Sequence, residues 1–524
     1  MSPTMPIELD RSSSEPLYRQ VAGSIRRAID DGRLRPGQRV PSVRVLAAQL
    51  AVGRLTIATA YDQLAAEGYL VGRVGFGTVV APDPPSRQPV DLPFGPRPTA
   101  PRAGGPVRLP ALRALPTREP AAGGAQVLTG RPRFDLRSSA AAGWSGGASG
   151  GIADRGLAVG AALERILRDE FRRVADRDDG GDIDDPAGDP RLRAVIADHL
   201  RAARAARCEP EQVVILSGAV IAFGAVGRLW LGDGRRAAVE DPGDPQVRRA
   251  LLANGGTAIG VPVDGHGLRA DLLPDRVAVA AVAPTVEVPI GAMMPLARRL
   301  RLLAWASTGG ALVIEDGRYD DLLVRATPQP CLQGLDSDGR VIHVGSFETL
   351  LHGGIRTAYA VLPGGLVEPF TAAVESVDPG ASPVQQRALA RFVADGLLDR
   401  HVARVRRALL ERQDAAIAAI EAEVGWLLDA RETGGGTRLV VRIEDPAWTA
   451  TDVVRAAAEV GVGIESLGPA RVLPAADRAI VVDYGRLEPL ELRAAFRVLG
   501  RALRAKGRGR VSAVGEFGSV AARA

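Results

Sequence analysis

Amine chemistry has a single side-chain candidate in this chain. Of 524 residues one is lysine, Lys506, and it sits in an Arg- and Gly-rich run at 501–510 whose composition predicts a loose, remote tail. A Schiff base needs a primary amine, which among side chains only lysine supplies. Arginine does not replace it, because its guanidinium stays protonated and non-nucleophilic. Two cysteines, Cys208 and Cys331, are too few for a disulfide framework and fit a reducing compartment. The five histidines (His199, His266, His343, His352, His401) are scattered without metal-ligand spacing, so no metal site is expected. One stretch still reads as built for chemistry: VIHVGSFETLLHGGIRTAY at 341–359. An apolar β-type run there ends at Gly345-Ser346, passes a Gly353-Gly354 turn and resumes through Ile355-Arg356.

This stretch resembles the cofactor-lysine segment of fold-type I pyridoxal-phosphate (PLP) enzymes, in the form found in the MocR group of GntR-type transcription regulators. The family pattern is roughly Gly-Ser-Phe-Ser-Lys-Thr-Leu-x-Pro-Gly-x-Arg-x-Gly-Tyr, and this chain keeps Gly345, Ser346, Phe347, Leu351, Gly354, Arg356 and Tyr359. Where the family has the Schiff-base lysine, it has Thr349. Other departures cluster on the same site. Val220-Ile221 replace a Gln-rich turn, Val286-Glu287 replace a His-Gln pair, and Asp244 and Ile183 replace aromatics. Arg318 stands where a tyrosine is expected, with Tyr319 one position along. By resemblance Asp316 would face the pyridine nitrogen, Ser346 and Arg356 the phosphate, and Thr349 the lost covalent link. The resemblance therefore implies an aminotransferase fold without covalent PLP and without an enzyme's chemistry. The alternative reading is PLP, or another phosphorylated ligand, held non-covalently on Ser346 and Arg356.

The elements that must carry these residues begin at residue 13. Leu17, Val21, Ile25 and Ile29 recur every four residues and predict a first helix that stops at Asp31-Gly32. Pro41-Ser42 opens a second helix ending near Leu50, and a third is expected from Arg54 to Glu67. Residues 69–71 and 77–80 read as two strands of a β-hairpin around a glycine-rich turn. Three helices and a hairpin make a winged helix-turn-helix. The words PLYRQVAGSIRRAI, GRLRPGQRVPSVRVLAAQLAVGRLTIATAYDQLAAEGYL and GFGTVVA resemble the GntR family over about 65 residues. That resemblance implies DNA contacts at Ser42, Arg44, Arg54, Thr56 and Thr59, and at the wing residues Arg73, Gly75 and Gly77. Residues 1–80 hold ten arginines against seven acids, a small local excess suited to phosphates.

Thirteen of the 38 prolines fall in residues 82–132, among Arg, Gly and Ala. Such a segment cannot bury a core and reads as an extended linker. A glycine-rich patch at 143–151, containing Trp144, has the same character. From about Phe134 onward, alternating helices and short apolar strands predict a mostly parallel α/β sheet. This part resembles the fold-type I aminotransferase domain through DDPAGDPRLRAVIADHLRAARAARCEPEQVVILSGA, LVIEDGRYDDLL and the 341–359 stretch.

The expected organisation is multi-domain. A winged helix-turn-helix covers 1–81, a linker 82–133, and an aminotransferase-like α/β domain 134–524 (large part 134–375, C-terminal helices and small α+β domain 376–524). The expected partners are a double-stranded DNA operator, a second copy of the chain and a small-molecule effector. Two heads on so long a linker leave half-site spacing unfixed. No run of about eighteen apolar residues suggests a membrane span, so a cytoplasmic protein is expected.

Overall fold

The computed structural model describes residues 17–30, 33–35, 37–66, 69–73, 77–80, 132–137, 160–175, 183–351, 355–476 and 478–521, with Ile7 and Leu9. The expected linker at 82–131, the patch at 143–151, the wing tip at 74–76 and the Gly353-Gly354 turn lie outside the described residues.

The head contains helices α1 (Leu17–Asp30), α2 (Val43–Leu50) and α3 (Arg54–Ala66), followed by strands β1 (Leu70–Arg73) and β2 (Gly77–Val80). The Ser42 hydroxyl caps α2, accepting from the Val45 N–H at 3.4 Å, which satisfies one of the orphan donors of a helix start. β1 and β2 are antiparallel, in register from Leu70 opposite Val80 to Arg73 opposite Gly77. Val21, Ile25, Leu46, Ile57, Leu64, Leu70 and Val80 form one buried core. The Tyr61 hydroxyl donates to the Pro41 carbonyl at 2.7 Å and ties α3 to the entry of α2.

The large domain starts with β3 (Phe134–Asp135), α4 (Gly160–Ala175) and α5 (Pro190–Arg204). Its central sheet uses β4 (Val213–Leu216), β5 (Arg236–Asp241), β6 (Thr257–Asp264), β7 (Gly267–Leu268), β8 (Val279–Val282), β9 (Leu312–Asp316), β10 (Val341–Ser346) and β11 (Ala358–Val361). The spatial order is β4-β11-β10-β9-β8-β5-β6-β7. Six strands are mutually parallel, and β11 and β7 oppose them. Helices α6 (Ala219–Trp230), α7 (Pro245–Leu252), α8 (Leu296–Gly309) and α9 (Leu332–Leu335) connect the strands. Most strand residues are buried and apolar, as a sheet covered on both faces requires.

Helices α10 (Val367–Glu375), α11 (Pro383–Ala394) and the 28-residue α12 (Leu397–Val424) lead to the small domain. There β12 (Leu428–Asp429), β13 (Arg438–Ile443), β15 (Glu465–Ser466) and β16 (Ala479–Asp483) form an antiparallel sheet. β14 (Val462–Gly463) pairs instead with β3, and α13 (Ala450–Glu459) and α14 (Pro489–Ala521) complete the domain. The loose tail expected at 501–510 is corrected. α14 runs through it, and Lys506 Nζ donates to Glu459 Oε1 at 2.8 Å. Alanine, leucine and arginine are strong helix formers, and they outweigh the isolated glycines.

Gly345 shows why part of the 341–359 motif is needed for packing. It lies opposite Tyr359 in the β10–β11 ladder, and a Cβ there would come within 2.1 Å of the Tyr359 ring.

Candidate functional site

The described positions expected to meet DNA are mostly open to solvent. Ser42 and Arg44 at the start of α2 are exposed, as are Gly53 and Arg54 at the start of α3, while Thr56 is half-buried. Arg73 and Gly77 close the described part of the wing as the last β1 and first β2 residues, and Gly75 lies outside it. Thr59 differs: it is 2% exposed, closed to a DNA partner in this conformation.

The second cluster lies at the carboxyl ends of β5, β8, β9 and β10, where open α/β sheets place their sites. Asp316 ends β9, and the chain turns so that Arg318, two residues on, folds back over it. Arg318 Nε donates to Asp316 Oδ1 at 2.8 Å and Nη2 to Oδ2 at 2.7 Å, a bidentate fork. The same Nη2 donates to Asp244 Oδ2 at 2.7 Å, and Asp244 caps α7 through the Gln246 N–H. The guanidinium also lies 5.5 Å from the Phe223 ring and 5.6 Å from Tyr319, within cation–π range. Burial alone would lower the Arg318 pKa. Asp316 and Asp244 outweigh it and hold the guanidinium well above its ordinary value. For Asp244 burial pushes upward, and Arg318 reverses it, keeping the carboxyl below its ordinary range.

Thr349 is half-buried beside this pair, its hydroxyl donating to the Arg318 carbonyl at 2.6 Å. Ser346, at the end of β10, accepts from the Glu348 N–H at 3.1 Å. Arg356 is exposed ahead of β11. Asp316 and Thr349 are thus joined through Arg318. At the turn after β4, the Ser217 hydroxyl donates to Asp378 Oδ1 at 2.6 Å and its N–H to Oδ2 at 3.0 Å. A carboxylate of the chain already holds that turn.

Reading residues in sequence missed the acid Glu240 and marked Glu287 only as a replaced glutamine. Glu240 lines a cleft with Asp244, Asp316 and Arg248. Glu287 lines its neighbour with Tyr319, Thr437 and Arg438. Burial raises the Glu240 carboxyl to about 8, with Asp316 and Asp244 adding to it. Burial and then Glu240 push Glu287 well above its ordinary value. Burial thus disfavours the charged form of both acids beside the Arg318 cluster. Sequence carries no signal for such pairs, because burial is set by strands far apart in the chain. Among the described residues no group of His, Cys, Asp and Glu is arranged to hold a metal.

Residues 17–80 match the family of bacterial regulatory proteins of the gntR type. The chain is 30% identical over 497 residues to the probable rhizopine catabolism regulatory protein MocR of Rhizobium meliloti, covering 93% of each chain. It is 33% identical over 503 residues to the HTH-type transcriptional regulator TauR of Rhodobacter capsulatus, covering 93% of this chain and 96% of TauR. Among solved structures an archaeal alanine:glyoxylate aminotransferase superposes with a TM-score of 0.64 at 22% identity, covering 71% of this chain and 91% of the enzyme, which is a likeness of fold. With a gntR-type head, an aminotransferase-like fold and end-to-end similarity to two such regulators, the chain belongs to the MocR-type, GntR-family transcriptional regulators.

Proposed function

We propose that this regulator reads a double-stranded operator with its head, and that its aminotransferase-like domain works without PLP and without transaminase activity. In this reading the large domain serves homodimer assembly and effector sensing in the cytoplasm. The observation that carries it is the Arg318 fork on Asp316. A PLP ring would need that carboxylate for its pyridine nitrogen, where it would keep the cofactor an electron sink. Here an internal cation already uses both oxygens, and Asp244 adds a second carboxylate to the same cation. Ser217, beside the expected phosphate turn, is taken by Asp378. The residues present do not fit the cofactor, and the chain's one lysine, Lys506, is paired to Glu459 in the small domain.

The test is a PLP titration of the purified full chain, followed by absorbance near 420 nm and thermal unfolding. The expected result is neither a new band nor a rise in Tm. A saturable rise in Tm without a band would favour non-covalent PLP on Ser346 and Arg356. Light scattering at micromolar concentration should give twice the chain mass, and a monomer mass would remove the dimer from this reading. Among the described residues no helix is long and apolar enough to cross a membrane.

A further inference from the structure

Helix α8 of the large domain carries two apolar stripes, one packed in its own domain and one that meets the head, with Leu303 touching both cores. Leu302 and Ala306 are buried in the core beneath the central sheet, and Arg299 on the same side is fully buried, donating to the Met294, Pro284 and Pro330 carbonyls. Leu296, Leu300 and Leu303, spaced i, i+4 and i+7, form a neighbouring stripe. Leu296, with Leu335 of α9, belongs to the buried core of the head, and Leu300 and Leu303 pack against that core.

On the head's side the contact is made by α3, which packs against α8. Ile57, Ala60, Tyr61 and Leu64 are the buried face that α3 turns to α1 and α2. Thr59 is two residues from Ile57, about 200° around the helix and so on the opposite side. It is 2% exposed, so that side of α3 is covered as well. Ser42, Arg44, Gly53 and Arg54, at the helix starts, stay exposed in the same arrangement.

We infer that the leucine stripe of α8 is a docking surface for the back of α3, and that it holds the head in a fixed orientation with the Arg54 end of that helix open. The inference rests on the regulator reading. Its consequence runs against the expectation from linker length. If the linker at 82–131 were the only tether, two heads would accept a range of half-site spacings. A docked head is a rigid extension of the large domain, so the dimer reads half-sites at one spacing, and any change in the large domain is passed to the heads.

The experiment uses full-length protein and duplexes selected from a random library by the wild type. The half-sites are then moved apart by about five base pairs, half a helical turn. Wild type should lose at least about tenfold affinity on the respaced duplex. Leu300→Glu and the milder Leu300→Ser, both on α8, should bind both spacings within about threefold, and an isolated half-site as the wild type does. Leu300→Ser removes the apolar contact without placing a charge in it, so it keeps the test valid if Leu300→Glu misfolds. Retained spacing preference in both variants would overturn the inference, as would a wild type indifferent to spacing. Tighter binding of an isolated half-site by the variants would also overturn it, showing that α8 masks the Arg54 end. Failure of every form to select any DNA would instead sink the regulator reading.

Discussion

Arg318 folds back over Asp316, two residues earlier, and donates to both oxygens of its carboxylate at 2.8 and 2.7 Å. The pair is closed by Asp244, 2.7 Å from the same guanidinium. Removing one partner of a buried ion cluster leaves the others without counter-charge, which typically costs about 3–5 kcal/mol. Arg318→Ala is therefore expected to lower stability by about that amount at pH 7.5 in urea unfolding. The loss should shrink toward pH 5, because stranded buried carboxylates take up protons more readily. A change below about 0.5 kcal/mol, the size of an ordinary surface substitution, would mean that the cluster is not a structural unit.

The head was legible because its signals are local. The four-residue recurrence from Leu17 to Ile29 and the Pro41-Ser42 start place α1 and α2 within a residue or two of their observed bounds, and α3 ends one residue before the expected Glu67. The parallel sheet was legible from its continuous apolar runs. The pocket was half legible. Asp244 and Arg318 each read as a loss, an aromatic and a tyrosine gone, and 74 positions of sequence separate two residues that meet. An acid and a base replacing two neutral residues at one site was the available signal. Glu240 gave none, and Glu287 showed only as a replaced glutamine, since their raised pKa values follow first from burial, with Asp316 and Asp244 adding to Glu240 and Glu240 adding to Glu287.

Arg54, exposed at the first turn of α3, is expected to contact DNA at a base edge or phosphate. Arg54→Ala should weaken specific binding by about 1–3 kcal/mol if it forks onto a guanine edge. Fluorescence anisotropy at two salt concentrations separates the cases. A phosphate contact would weaken all sequences alike and reduce the salt slope by about one. Unchanged affinity and slope would remove Arg54 from the interface.

Asp320 is buried, and both its oxygens lack a hydrogen-bond partner. Arg204 is its nearest cation, with Nε at 3.9 Å, and that arginine is better paired with Asp321 at 2.7 Å. Burial raises the Asp320 carboxyl to about 6; Arg204, His343 and Arg299 oppose the rise and Glu315 adds to it. The unfolded chain holds an aspartate near 3.9, so between about pH 4 and 6 the folded state binds more protons and stability falls as pH rises. Above pH 6 the full penalty is present. Asp320→Asn should therefore stabilise the protein by about 1–2 kcal/mol at pH 8, with the gain fading as pH falls toward 4. Thermal melts across that range check it, and a variant less stable than wild type at pH 8 would show that the Arg204 attraction outweighs burial.

Thr349 has a hydroxyl, committed to the Arg318 carbonyl at 2.6 Å, where the resembling family has its amine. Thr349→Lys supplies the missing amine and nothing else. Arg318 still holds both oxygens of Asp316, and Asp378 still holds Ser217. Groups that act as a unit lose far more than the sum of single deletions suggests, so restoring one member recovers little. The single variant incubated with PLP is expected to stay colourless, to yield no borohydride-stable pyridoxyl peptide and to show no transamination. Adding Arg318→Tyr removes the internal cation and frees Asp316, so the double variant should take up PLP detectably more than Thr349→Lys alone. Mass spectrometry after reduction reads both. A yellow, reducible Thr349→Lys protein with Arg318 intact would refute the claim that the arginine closes the site.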